Sequence, residues 1–210
     1  MSTQGREDAN RFWQWFEANH QAFFFLNEVD AEEKDRLMNA LLHELHRYCE
    51  GLYYEIGGHP DDPEVELIVT ADGNQELFHA VELLIDQAPT LPNWKFIKFR
   101  QAQGKGFVTE YGGLKFDPET ILFLPLKHRQ EPRKVGFNVC YPNFNEEQRN
   151  TFLGATYIML DTLLGEKASV CDIDYFDVIQ TPANIGDYHF RHLSDIAEYI
   201  REVKSTEDSL

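Results

Sequence analysis

Leu52-Tyr53-Tyr54-Glu55-Ile56, then Val65-Glu66-Leu67-Ile68-Val69-Thr70, then Ala71-Asp72-Gly73-Asn74 is the stretch that decides the fold. The first two segments are short, rich in β-branched and aromatic residues, and bounded by Gly, Pro, Asn and Asp. That is the pattern of strands. Residues 75–88 then place Leu77, Val81, Leu84 and Ile85 at helical spacing. Asp72 or Asn74 is the cap, and Pro89 and Pro92 prevent continuation. Trp94-Lys95-Phe96-Ile97-Lys98-Phe99 reads as the next strand. A strand, helix, strand order permits a parallel crossover, which is right-handed as a rule. This unit can found an α+β domain, and no catalytic signature stands on it.

Two helices are expected before it. Residues 8–26 are dense in aromatics, and Phe12, Trp15, Phe16 and Phe23 fit one helical stripe. So wide a stripe needs cover on much of the helix circumference, which packing onto the sheet or the next helix would supply. The sharper reading makes Trp13, Trp15 and Phe16 an exposed docking face, since large apolar patches on proteins mark interfaces. Asp30-Ala31-Glu32-Glu33 has the form of an acidic capping box. Leu37, Leu41, Leu45 and Tyr48 follow at three- and four-residue steps, and Gly51 is placed to end that helix.

Toward the C-terminus, residues 107–111 and 114–116 flank Gly112-Gly113, a hairpin signal. Ile121-Leu122-Phe123-Leu124 reads as a central strand, with Pro125 at its end or at a bulge. Residues 128–134 are a polar, basic turn. Val135, Phe137, Val139 and Tyr141 alternate as a half-buried strand. Asn145 caps a helix whose stripe is Phe152, Thr156, Met159, Leu160 and Leu163, ended by Gly165. Residues 170–179 read as the last strand, with a bulge at Phe176. Ser194 opens a closing helix with Ile196, Ala197, Ile200 and Val203 inward. No internal repeat is visible, and no linker is long enough to force two domains. The expectation is a single α+β domain over residues 1–210, with fraying at 1–7 and 205–210. It has a mixed, largely antiparallel sheet, helices mainly on one face and two N-terminal helices.

Composition narrows the function. With 42% hydrophobic and 13% aromatic residues the chain is too rich in core formers for disorder. A net charge of −17 repels phosphate backbones, so direct nucleic-acid binding is not expected. It also disfavours anionic membranes, and it suits solubility or a basic protein partner. Cys49, Cys140 and Cys171 are odd in number and far apart, which is no disulfide framework. Residues 1–10 are polar and no run nears the roughly 18 apolar residues of a membrane span, so a cytoplasmic location is expected.

Three constellations invite chemistry. In His43-Glu44-Leu45-His46 the histidines are three apart, where the zinc-protease helix needs four. Cys49 adds a ligand type one turn on, but no second ligand cluster accompanies it. A polar helix face and no metal are expected. Cys171-Asp172-Ile173-Asp174 with Asp177 is acidic but lacks the turn and central glycine of a calcium loop, and reads as a solvated strand face. Tyr188-His189-Phe190-Arg191-His192 reads as a surface loop against the core. Cysteine–histidine pairs are too many by chance to single one out as a nucleophile. No phosphate-binding loop or dinucleotide fingerprint is present, so no cofactor is expected.

The runs Leu52-Tyr53-Tyr54-Glu55-Ile56-Gly57-Gly58, Glu66-Leu67-Ile68-Val69-Thr70-Ala71-Asp72-Gly73-Asn74, Ala88-Pro89 and Asn93-Trp94-Lys95-Phe96-Ile97 span about the middle third of the chain. Their pattern resembles a family of uncharacterised bacterial proteins. The resemblance implies a bacterial, cytoplasmic origin and no activity. The functional expectation is a non-enzymatic protein that binds another macromolecule, either an adaptor or an acidic immunity-type inhibitor. The alternative is a hydrolase or transferase whose site assembles only in the fold, which a deep cleft of clustered polar residues would favour. Acidic mimicry of DNA would need carboxylates along one elongated face.

Overall fold

The N-terminal aromatics fold into α1 (Thr3–Asn19) and a 3-10 turn (His20–Phe25), followed by α2 (Ala31–Tyr48). This is seen in a computed structural model that describes residues 3–58, 64–127, 131, 134–184, 186 and 188–205. Ala9, Phe12, Trp13 and Phe16 are buried, so the inward stripe has the i, i+3, i+4, i+7 spacing of a packed helix face. It includes Trp13 and leaves Trp15 half-buried at its margin, where the sequence reading had Trp15 inward. Residues 3–7 belong to the helix. The Asp30 carboxylate accepts from Glu33 N–H at 2.9 Å, which is the expected cap, and Leu37, Leu41 and Leu45 are buried. Cys49 is already extended, so Gly51 (φ +89°) turns the chain into the sheet rather than capping α2.

β1 (Tyr53–Gly57) runs antiparallel to β2 (Val65–Thr70), and β2 runs parallel to β3 (Trp94–Lys98). Their order is β1-β2-β3. The crossover is a 3-10 turn (Gln75–Leu77) leading into α3 (Phe78–Ile85). The register puts Ile56, Leu67 and Phe96 on one face and Glu55, Ile68 and Ile97 on the other. Leu67 and Val69 are fully buried, with Val81 and Leu84 of α3.

The second half begins with β4 (Thr109–Tyr111) and β5 (Leu114–Phe116). Gly112 and Gly113 join them with φ of +57° and +77°, the positive pair that a tight hairpin turn requires. β6 (Leu122–Leu126) and β7 (Gly136–Tyr141) are antiparallel. α4 (Arg149–Leu164) and a short α5 (Glu166–Cys171) then return the chain to β8 (Tyr175–Gln180), parallel to β7. β9 (Arg191–His192) pairs with β6, and α6 (Ile196–Ser205) closes the unit. The order is β8-β7-β6-β9. Pro125 is tolerated in β6 because β9 pairs only with Leu122 and Phe123, leaving that side of Pro125 without a strand. All five residues of the expected α4 stripe are buried.

Residues 170–174 are not strand. Gly165 (φ +78°) starts a new helix that runs through Cys171, and Asp172 to Asp174 fall in the turn after it. Nor is there a bulge at Phe176, since β8 pairs without interruption from Tyr175 to Gln180.

The chain is α+β as expected, and it groups into two compact units, residues 1–100 and 101–210. Its strands form three mixed or antiparallel sheets among the described residues. Both units repeat an antiparallel pair, a helix and a parallel third strand. Asn74 lies four residues beyond β2 and Asn145 four beyond β7. Each side chain accepts a backbone N–H two residues on, from Glu76 at 3.2 Å and Glu147 at 3.0 Å. Each opens a 3-10 turn that continues as a helix. Among the described residues no helix is long and apolar enough to cross a membrane.

Candidate functional site

Trp13 and Phe16 cannot form the exposed docking face considered above. They are 3% and 0% exposed, because their side of α1 is the core of the first unit. Trp13 Nε1 donates to the Leu84 carbonyl at 2.8 Å, and its ring meets Phe96 edge-on. Phe16 lies among Phe23, Trp94 and Phe96. Trp15, half-buried against Phe23, is the one of the three with surface to offer.

The histidines of α2 diverge in role. His43 is exposed, whereas His46 turns its Nε2 onto the Leu52 carbonyl at 3.0 Å and its ring onto Tyr53. One ring nitrogen of the proposed pair is therefore engaged in fixing the entry to β1. Among the described residues no three His, Cys, Asp or Glu side chains are grouped to hold a metal. Purified protein should carry substoichiometric zinc by elemental analysis, and a chelator should leave its melting temperature unchanged. Near-stoichiometric zinc that vanishes with His43→Ala or His46→Ala would contradict this.

The acidic stretch after α5 is structural. Asp172 pairs with Lys204 of α6. Asp174 Oδ2 accepts from Val135 N–H at 2.7 Å, and Asp177 pairs with Arg149 of α4. Burial pushes the Cys140 thiol up to about 11, so it supplies no thiolate near neutral pH. Arg191 and His192 form β9, and Arg191 is held by both Glu202 oxygens at 2.5 and 3.0 Å.

Each unit has a cleft. In the first, Arg6, His79, Glu82, Leu83, Asp86 and Gln87 line about 390 Å³ beside α1 and α3. In the second, Leu126, Lys127, Lys134, Gly136, Asp174 and Tyr175 line about 290 Å³ at one end of the sheet. The second has the polar variety a hydrolase or transferase needs, and two of its groups are engaged. Lys134 is held by Glu131 at 2.7 Å, which raises its pKa, and Asp174 is held by Val135. Lys127 and Lys134 are both exposed. Most of the basic turn at 128–134 lies outside the described residues.

Sequence reasoning missed two features. Glu166, at the start of α5, is fully buried, and nothing in the polar run around it signals that. Tyr53, Tyr111, Tyr157, Tyr175 and Tyr188 are 41–61% exposed. They are scattered in sequence, so no motif announces them. No protein-family model, curated protein or solved structure matches the chain.

Proposed function

We propose that the chain is a non-enzymatic protein of the bacterial cytoplasm that binds a basic macromolecule, as an adaptor or an acidic immunity-type inhibitor. The observation that carries this reading is the combination of strong negative charge with exposed tyrosines. Residues 1–100 hold 19 acidic against 8 basic residues, and residues 101–210 hold 17 against 11, so the net charges are −11 and −6. Charge on this scale repels nucleic acid and accelerates encounter with a cationic protein. Exposed tyrosines such as Tyr53 supply close contact. Tyrosine gives a large amphipathic area at low entropic cost and is enriched at interface hot spots.

Immobilised protein at low salt should capture a basic protein from a bacterial lysate, and raised salt should release it. If no macromolecule is captured at any salt while a small-molecule screen gives a clear thermal shift, the reading is wrong and the enzyme alternative moves ahead.

A further inference from the structure

We infer that the partner seats on β1, whose free edge takes an extended, lysine- and arginine-rich segment of a basic protein as an added strand. This rests on the reading above and names where the binding occurs. β1 ends the sheet β1-β2-β3, so among the described residues one of its long sides faces no strand. An edge strand presents a row of unpaired N–H and C=O groups, and proteins blunt such edges with lysine, proline, covering side chains or very short strands.

The other described edges are blunted in those ways, and β4 and β5 are only three residues long. β3 carries Lys95 and Lys98. On β8 the Val178 N–H donates to Asp177 Oδ1 at 2.8 Å, and the Val178 carbonyl accepts from Arg149 at 3.3 Å. β9 is two residues long, and Pro125 stands on β6 where β9 no longer covers it. β1 has none of these devices among the described residues. Tyr53-Tyr54-Glu55-Ile56-Gly57 contains neither lysine nor proline, and His46 reaches the Leu52 carbonyl just before the strand. None of its residues is buried, unlike every other described strand of five or more residues, and Tyr53 is 47% exposed.

Charge selects the occupant. Among the described residues of 50–66, Glu50, Glu55, Glu64 and Glu66 are acidic and none is lysine or arginine. Glu55 is half-exposed, and its cation, Arg100, stands 3.8 Å away while also serving Asp72 at 3.1 Å. A second copy of the chain would set this acidic edge against itself, and like charges across a strand pair are destabilising. A cationic strand meets the opposite sign. Backbone hydrogen bonds then give affinity, while Glu55 and Tyr53 choose among sequences.

The test uses the full-length, isotope-labelled protein at low salt. Two peptides of equal length and charge serve as probes, one alternating lysine with threonine and one alternating lysine with proline, which cannot pair as a strand. The lysine–threonine peptide should bind at least about tenfold tighter and slow hydrogen exchange at alternate amides of residues 53–57. Equal binding of both peptides with no slowed β1 amide would overturn the edge and leave the acidic-surface reading standing. Binding of neither would count against both. Protection of β1 in the free protein, rising with concentration alongside a dimer in sedimentation, would give the edge to a second copy and overturn the proposal.

Discussion

Phe16→Ala is expected to lower the melting temperature of the first unit by on the order of 15–30 °C. Phe16 is fully buried, with ring centroids of Trp94 at 5.0 Å, Phe96 at 5.6 Å, Trp13 at 5.8 Å and Phe23 at 6.0 Å. Emptying such a site costs about 3–5 kcal/mol, from lost transfer energy plus the cavity left behind. That is a large share of the roughly 5–15 kcal/mol by which a domain is stable. All three tryptophans lie within residues 1–100, so tryptophan fluorescence follows this unit alone. Trp15→Ala removes a half-buried ring and should cost on the order of 1 kcal/mol. Equal effects of the two substitutions would contradict the placement of α1.

Thr156→Val should destabilise the second unit by about 1–3 kcal/mol, although it keeps the side chain's shape. Thr156 and Tyr141 are 0% and 1% exposed. Their hydroxyl oxygens are 2.7 Å apart, and Thr156 donates onward to the Phe152 carbonyl at 2.7 Å. The Tyr141 hydroxyl is therefore the donor to Thr156, and burial raises its pKa well above the ordinary tyrosine range, which keeps the proton in place. Removing the threonine oxygen strands that buried donor. Tyr141→Phe leaves Thr156 its bond to Phe152 and should cost only about 0.5–1.5 kcal/mol. The double variant should cost less than the sum of the singles, because it leaves no stranded hydroxyl. Urea unfolding of the four proteins, followed by far-ultraviolet circular dichroism, measures all three values. Strictly additive costs would show that the two hydroxyls do not act as a pair.

The sequence was most legible where one periodicity ran long enough to outvote its neighbours. The α4 stripe from Phe152 to Leu163 is buried at every expected position. The caps at Asp30 and Asn145 form because their side chains satisfy helix N–H groups locally. Legibility failed where aromatics crowded the helix. With so many rings in α1, the phase could be drawn through Trp15 as well as through Trp13, and only the tertiary contact to Leu84 decides between them. It failed again at residues 170–174, where four residues of polar–apolar alternation resembled a strand but the helix begun at Glu166 continued through Cys171. The structural repeat of the two units was invisible because the caps at Asn74 and Asn145 are shared but strand order and direction, which complete the repeat, are set by tertiary pairing. The candidate binding site was hidden for a different reason. Which strand ends a sheet depends on strand order, and nothing within Tyr53–Gly57 itself encodes that β1 has a neighbour on one side only.

Binding of a basic protein through an acidic surface has a kinetic signature. The most direct test measures association and dissociation rates of the captured partner while salt rises from about 0.05 to about 0.5 M, which shortens the screening length from above ~10 Å to below it. The account predicts an association rate that falls by about tenfold or more, with a much smaller change in the dissociation rate, because close contacts at residues such as the exposed tyrosines hold the complex once formed. An association rate that stays flat across that range, or a captured partner that is itself acidic, would contradict it.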